Sequence, residues 1–355
     1  MQPRELLKKL ITIESTNHEK VNEAVDVCKS WLEKHDLDCE IIEYNTKKTL
    51  LCTIGTGNNT IVFNGHLDVV SGTPAQFIPI EQAGRLYGRG TADMKAGVVG
   101  MMTALIELNR ENLPCRVQLQ LVTDEETGGT RCSQYLAENG YGGDFVICGE
   151  PTQLGIGIQA KGILQLDIEV LGKAAHSSRP WTGENAIING LTLYQAIQIL
   201  PFTKEKSSFY DCPSVNLSRI EGGKEYNKVP GKCLISLDIR YLPEQNPQEI
   251  IGQIEEAVGH PVAIHALGYP VKTSADNPYV RQLTLAVHAQ LGIQPELFGQ
   301  HGAADARFFA QQGIPAVEFG PIGSDWHGDN EYVDIASIDT YTAILKNFVL
   351  NFKVD

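Results

Sequence analysis

Five acidic or histidine-bearing clusters punctuate the chain. They are Gly65-His66-Leu67-Asp68, Gly88-Arg89-Gly90-Thr91-Ala92-Asp93-Met94-Lys95, Thr123-Asp124-Glu125-Glu126-Thr127-Gly128-Gly129, Gly149-Glu150-Pro151 and Trp326-His327-Gly328-Asp329-Asn330-Glu331. Imidazole and carboxylate without thiolate suit zinc, manganese or cobalt. Two such ions held about 3.5–4 Å apart share a bridging carboxylate and activate one water between them. That chemistry needs one bridging acid, one histidine and one acid per ion, and a further acid free to act as base. His66, Asp93, Glu126, Glu150 and His327 supply the ligands, and Glu125 supplies the base. A base beside a ligand has its pKa set by metal charge and burial. Taken singly, each cluster has a plainer reading: a loop histidine, a solvated turn at Glu125-Glu126, a turn at Glu150, or a helix start where Asp93 suits the dipole. Five in this order at strand ends are not explained by turns.

The elements that must position these residues alternate in type. Helices are expected at Pro3–Ile11, Glu19–Leu37, Lys95–Leu108 and Cys132–Glu138, from apolar spacing and, at Pro3, a helix-initiating proline. Strands are expected at Cys39–Tyr44, Thr49–Ile54, Ile61–Phe63, Val117–Thr123 and Phe145–Cys148. This is α/β style with a mixed, mostly parallel sheet, and in such sheets ligands collect at the carboxyl ends of strands. The middle differs. Gly162–Leu171 alternates like a half-buried strand, followed by helix 185–200, strands 215–221 and 233–241, helix 247–258 and strand 262–266, a ferredoxin-like βαββαβ order. Helices at Pro278–Leu291, Asp305–Gln312 and Ile335–Phe352 and a strand at Ala316–Phe319 resume the first style. The expected organisation is a catalytic domain formed by 1–161 and 272–355, with 162–271 inserted.

The chain has 355 residues, 42% hydrophobic and 20% charged, which fits a globular protein. Lys plus Arg is 29 against 43 Asp plus Glu, a net charge of −14. That balance argues against a nucleic-acid binder and against docking on anionic membranes. No apolar run reaches the length of a membrane helix. Met-Gln-Pro-Arg-Glu, with Lys8 and Lys9 close behind, does not read as a signal peptide, so the cytoplasm is the expected compartment. The eight cysteines include no C-x-x-C pair and read as small buried residues of a reducing compartment. Neither a P-loop nor a strand–G-x-G-x-x-G–helix signature is present, which removes nucleotide-binding α/β proteins.

The order G-H-L-D, G-R-G-T-A-D-M-K, D-E-E-T-G-G, G-E-P and a C-terminal H-x-x-N-E resembles the M20 family of zinc-dependent aminoacylases and exopeptidases over nearly the whole chain. The resemblance implies a zinc-exopeptidase-like catalytic domain and a lid and dimerisation domain at 162–271. It implies two zinc ions per subunit, replaceable by cobalt or manganese: His66, Asp93 and Glu150 on one, Asp93, Glu126 and His327 on the other. Asp68 would orient His66, Glu125 would be general base and then general acid, and the peptide after Asp93 would be cis. His176, in Lys173-Ala174-Ala175-His176-Ser177-Ser178-Arg179-Pro180, would reach the partner subunit's active site and donate to the oxyanion. Asn227, Arg240 and the Gly302 turn would bind substrate. Two departures stand out: Ala303-Ala304 where relatives carry a hydroxyl, and Lys161 where desuccinylases tend to carry arginine.

The resemblance implies hydrolysis of the amide bond of a small N-acyl amino acid. The His176–Trp181 loop resembles succinyl-diaminopimelate desuccinylases most. Acetylornithine deacetylase comes next and a dipeptidase or carboxypeptidase third. A non-catalytic metal-binding regulatory protein is the competing class. An intact set of ligands plus base argues against it.

Overall fold

The computed structural model describes residues 1–353. The chain divides into two compact units. One comprises Met1–Ile158, Lys272–Phe298 and the chain from Ala304 on; the other comprises Gln159–Val271 with Gly299–Ala303.

The first unit is built on a mixed sheet. Its strands run in the order Cys39–Tyr44, Lys47–Ile54, Arg116–Val122, Thr60–His66, Phe145–Cys148 and Ala316–Glu318, followed by the strand that starts at Ile156. The four strands from Arg116–Val122 to Ala316–Glu318 are mutually parallel, and the flanking pairings are antiparallel. Every residue of Thr60–His66 and Phe145–Cys148 is buried, as expected for parallel strands covered on both faces. The parallel core therefore has one carboxyl edge, where His66, Asp124-Glu125-Glu126 and Glu150 emerge together. Helix Ala96–Leu108 is buried nearly all round and packs on the helix Ile335–Leu350. It lies so close to the sheet that a Cβ at Gly97 would stand 2.0 Å from the carbonyl oxygen of Gly149. Glycine at that position lets the segment carrying Asp93 press against the strand tip carrying Glu150.

Some boundaries differ from expectation for local reasons. The second helix is His18–Glu33 rather than reaching Leu37. Asp36 adopts a left-handed conformation and the Leu37 N–H returns to the Leu32 carbonyl, which closes the helix. Thr91–Lys95 forms a kinked turn ahead of Ala96–Leu108, with Asp93 and Met94 outside helical backbone angles and a cis peptide between them. A small sheet that no sequence signal announces orders Gly323–Ser324, Tyr332–Asp334, Arg85–Tyr87 and Ile80–Gln82 side by side. Strands of two or three residues carry too few positions for alternation to register.

The second unit holds a four-stranded antiparallel sheet in the order Ser214–Gly222, Lys232–Tyr241, Gly162–Leu171, Ala263–Gly268. Gly162–Leu171 and Lys232–Tyr241 alternate strictly in burial. Their inner residues, among them Leu164, Leu166, Ile168, Ile235, Leu237 and Ile239, form a core with Ile197, Ile250 and Ile254 from the helices Ala186–Ile197 and Pro247–Val258. Ser214–Gly222 lies at the sheet edge and is largely exposed. All eight cysteines are free, and only Cys212 is exposed.

Candidate metal centre

His66 is the last residue of its strand and only 1% exposed. Its Nδ1 lies 2.9 Å from the backbone oxygen of Asp68, so that nitrogen carries the hydrogen and donates. Nε2 is then the ring atom left to meet the acids. It faces Asp93 Oδ1 at 2.9 Å and Glu150 Oε1 at 3.8 Å. His327 Nε2 stands 3.2 Å from Asp93 Oδ2 and 3.2 Å from Glu126 Oε2. The two oxygens of Asp93 thus serve two groups, His66–Asp93–Glu150 and Asp93–Glu126–His327, and in each group the candidate ligand atoms lie within 4.8 Å of one another.

The Asp68 carboxylate does more than flank His66. It is 3.7 Å from Nδ1, and its oxygens accept from the backbone N–H groups of Glu125 (3.3 Å) and Glu126 (3.0 Å). One buried residue therefore fixes the ring of His66 through its carbonyl and the Glu125-Glu126 turn through its carboxylate. From the other side, Arg307 donates to the Gly128 carbonyl at 2.9 Å. Beneath lies a buried polar network that sequence reasoning missed: Ser133 Oγ donates to Asp305 Oδ2 (2.6 Å), and Asn64 Nδ2 donates to Ser133 and Gln120. Asn64, Gln120 and Ser133 look like ordinary strand or helix positions, so nothing in the sequence ties them to Asp305.

The electrostatics ask for positive charge. Burial pushes the carboxyl of Glu150 well above the usual range, reinforced by the Asp93 charge, and burial does the same to Glu125. Glu126 is raised by burial as well. Burial also acts on Asp93, but its hydrogen bonds to His327 and His66 outweigh it and hold this carboxyl low. His327 is raised to about 9 by its hydrogen bond to Asp93, against burial. At His66 burial alone would lower the pKa, yet Asp93 and Glu150 hold it well above the ordinary value. Buried acids pushed up and imidazoles pushed up together mark a site short of cations. Imidazole nitrogens and carboxylates, with no thiolate among them, are a fitting donor set for divalent ions.

The substrate-side candidates are held differently. His176 is exposed and its Nδ1 is 2.8 Å from Ser178 Oγ. Arg240 forks onto Asp238 of its own strand at 2.7 and 3.2 Å. Asn227 and Gly302 are exposed. Lys161 is buried, with Nζ donating to the Cys212 carbonyl at 2.8 Å and lying 5.2 Å from the Tyr210 ring.

Fold and centre together define a metal-dependent hydrolase with a mixed α/β fold and room for two ions. The chain belongs to the peptidase family M20/M25/M40, whose profile matches residues 62–351. It is 25% identical to a succinyl-diaminopimelate desuccinylase of Hydrogenovibrio crunogenus, over 99% of this chain and 98% of that one. It is 31% identical to a probable succinyl-diaminopimelate desuccinylase of Staphylococcus aureus, over 68% of each. Aminopeptidase PepT of Bacillus cereus shares the fold with a TM-score of 0.81 over 98% of both chains at 20% identity. The YXEP protein of Bacillus subtilis, described as a dinuclear metal binding peptidase of the M20 family, aligns over 98% of both chains with a TM-score of 0.69 at 16% identity. Among the described residues no helix is long and apolar enough to cross a membrane.

Proposed function

We propose that this chain is a cytoplasmic di-zinc amidohydrolase that removes the acyl group of N-succinyl-L,L-diaminopimelate or a close N-acyl amino acid. The observation that carries the reading is Asp93, one carboxylate serving two three-ligand groups. The desuccinylase relatives support the substrate class. Bound zinc supplies Lewis acidity and acidifies water to near neutrality.

His66, Asp93 and Glu150 would hold one ion, and Asp93, Glu126 and His327 the other. Cobalt or manganese would serve with the same donors. Glu125 takes a proton from the attacking water and returns it to the leaving amine, general base and then general acid. Its N–H is anchored on Asp68, so the base is oriented by a residue that also orients a ligand. Arg240, Asn227, the Gly302 turn and Lys161 are the substrate-side groups. A guanidinium fork suits a carboxylate, and Arg240 would exchange Asp238 for it. Lys161 would have to leave the Cys212 carbonyl to take part.

The chain forms a homodimer through its second unit in this reading. The exposed edge strand Ser214–Gly222 and the exposed Ile188 and Leu191 on helix Ala186–Ile197 support that surface. The partner subunit's His176 then donates to the oxyanion.

Amine release is measured from N-succinyl-L,L-diaminopimelate, N-acetylornithine, an N-acetyl hydrophobic amino acid and a dipeptide, with zinc-loaded and chelated protein. Zinc-dependent turnover of the succinyl compound is the expected result. Preference for the acetyl compounds or the dipeptide would move the substrate. Silence on all four with two zinc ions bound would overturn the enzyme reading.

A further inference from the structure

Arg89 and Glu331 are 242 residues apart and both almost wholly buried, at 3% and 2% exposure. Arg89 Nη1 donates to Glu331 Oε2 at 2.7 Å. The second oxygen of Glu331 accepts from the backbone N–H groups of Ala92 (2.9 Å) and Asp93 (3.1 Å). The other arm of Arg89 donates to the backbone oxygen of His327 at 3.2 Å. The two side chains thus clamp both segments that supply Asp93 and His327. The small sheet delivers them to that meeting point: Tyr87 pairs with Tyr332, and Gly88 N–H donates to the Glu331 carbonyl.

His327 needs such a clamp. It lies on a loop between two short strands, its φ is +64°, and its side chain is 52% exposed. A non-glycine residue in the left-handed region has little intrinsic reason to stay there. No other described hydrogen bond to its backbone is seen. A fully buried ion pair is also a poor source of stability compared with apolar residues of the same volume, so its presence calls for another role.

We propose that Arg89 and Glu331 are positioning residues that hold the Asp93 carboxylate and the His327 imidazole in register, and that they set the affinity of the ion on the His327 side more than the other. This rests on the two-ion reading of the centre. The His327-side group loses the placement of two ligands when the clamp is broken. The group formed by His66, Asp93 and Glu150 loses one.

The test titrates zinc by calorimetry into the chelator-stripped full chain, with thermal unfolding in parallel. The variants are Glu331→Gln, the charge-neutral double variant Arg89→Gln with Glu331→Gln, and Arg89→Lys. His327→Gln marks which ion belongs to the His327 side. Loss of a residue that orients a ligand commonly weakens metal binding about 10–100-fold, and that loss is expected for the His327-side ion in all three variants, with a much smaller change for the other. Arg89→Lys keeps the charge but lacks the second arm, so it discriminates even where the other variants fail to fold. A lowered thermal midpoint with both zinc affinities kept would reduce the pair to a structural role and overturn the proposal. Equal weakening of both ions would overturn it too, because general loosening gives that result. A parent chain that binds no zinc would overturn the two-ion reading and this inference with it.

Discussion

The two units treat their polar residues in opposite ways. In the first, His66, Asp68, Asp93, Glu126 and Glu150 are buried or nearly so; the His66 ring donates to a backbone carbonyl, and the backbone N–H groups of Glu126 and Asp93 are tied to the carboxylates of Asp68 and Glu331. In the second, His176 and Asn227 are exposed and Arg240 is half-buried, Lys161 alone of the candidates being buried; His176 and Arg240 have side-chain partners two residues away on their own loop or strand. Fixing a metal centre needs preorganised, braced ligands. Choosing an acyl group needs only a few accessible side chains on a stable sheet. In the proposed reading, reaction type resides in the buried network and substrate choice in the residues of the second unit.

This division can be broken or sharpened by substitution. Glu125→Gln should lower kcat by about 10²–10⁴-fold, the usual contribution of a general base, and leave both zinc ions bound. Loss of metal instead would mean that Glu125, not Glu126, is the ligand. His176→Ala should cost about 10²-fold in kcat, the scale of an oxyanion donor. A mixed dimer of His176→Ala chains and Glu125→Gln chains should recover activity if the histidine acts on the partner's site. Arg240→Lys should raise KM by about tenfold with little change in kcat, since a point charge replaces a bidentate fork.

The smallest effect concerns Asp305, raised from 3.8 to about 6 chiefly by burial. Burial favours its neutral form. Its contribution to stability is complete below about 3.8, fades as pH rises, and is gone above about 6. Asp305→Asn stays neutral throughout. Its thermal midpoint relative to the parent should rise between pH 4 and 6.5, measured on chelator-stripped protein. A flat difference would show that Asp305 is ionised in the folded chain at low pH.

His66, Glu126 and Glu150 were legible because each ends or follows a strand of the main sheet inside a glycine- or proline-marked turn. His66 after an apolar run and Glu150 before a proline are examples. The second unit was legible because Gly162–Leu171 alternates without a break. The small sheet was not, since Arg85–Tyr87 and Tyr332–Asp334 have three residues each. Its consequence, the meeting of Arg89 with Glu331, is a contact across 242 residues that local patterns cannot carry. Asp305 was visible as part of a turn, but its bond to Ser133 and the network below were not.

The two-ion centre depends most directly on Asp93 as a shared ligand. The decisive measurement is zinc per chain, after removal of free metal, in the parent and in Glu150→Gln, His327→Gln and Asp93→Ala. Two ions in the parent, one in each of the first two variants and none in Asp93→Ala is the predicted result. Retention of a tightly held ion in a folded Asp93→Ala chain would contradict the shared ligand and the two-ion centre built on it.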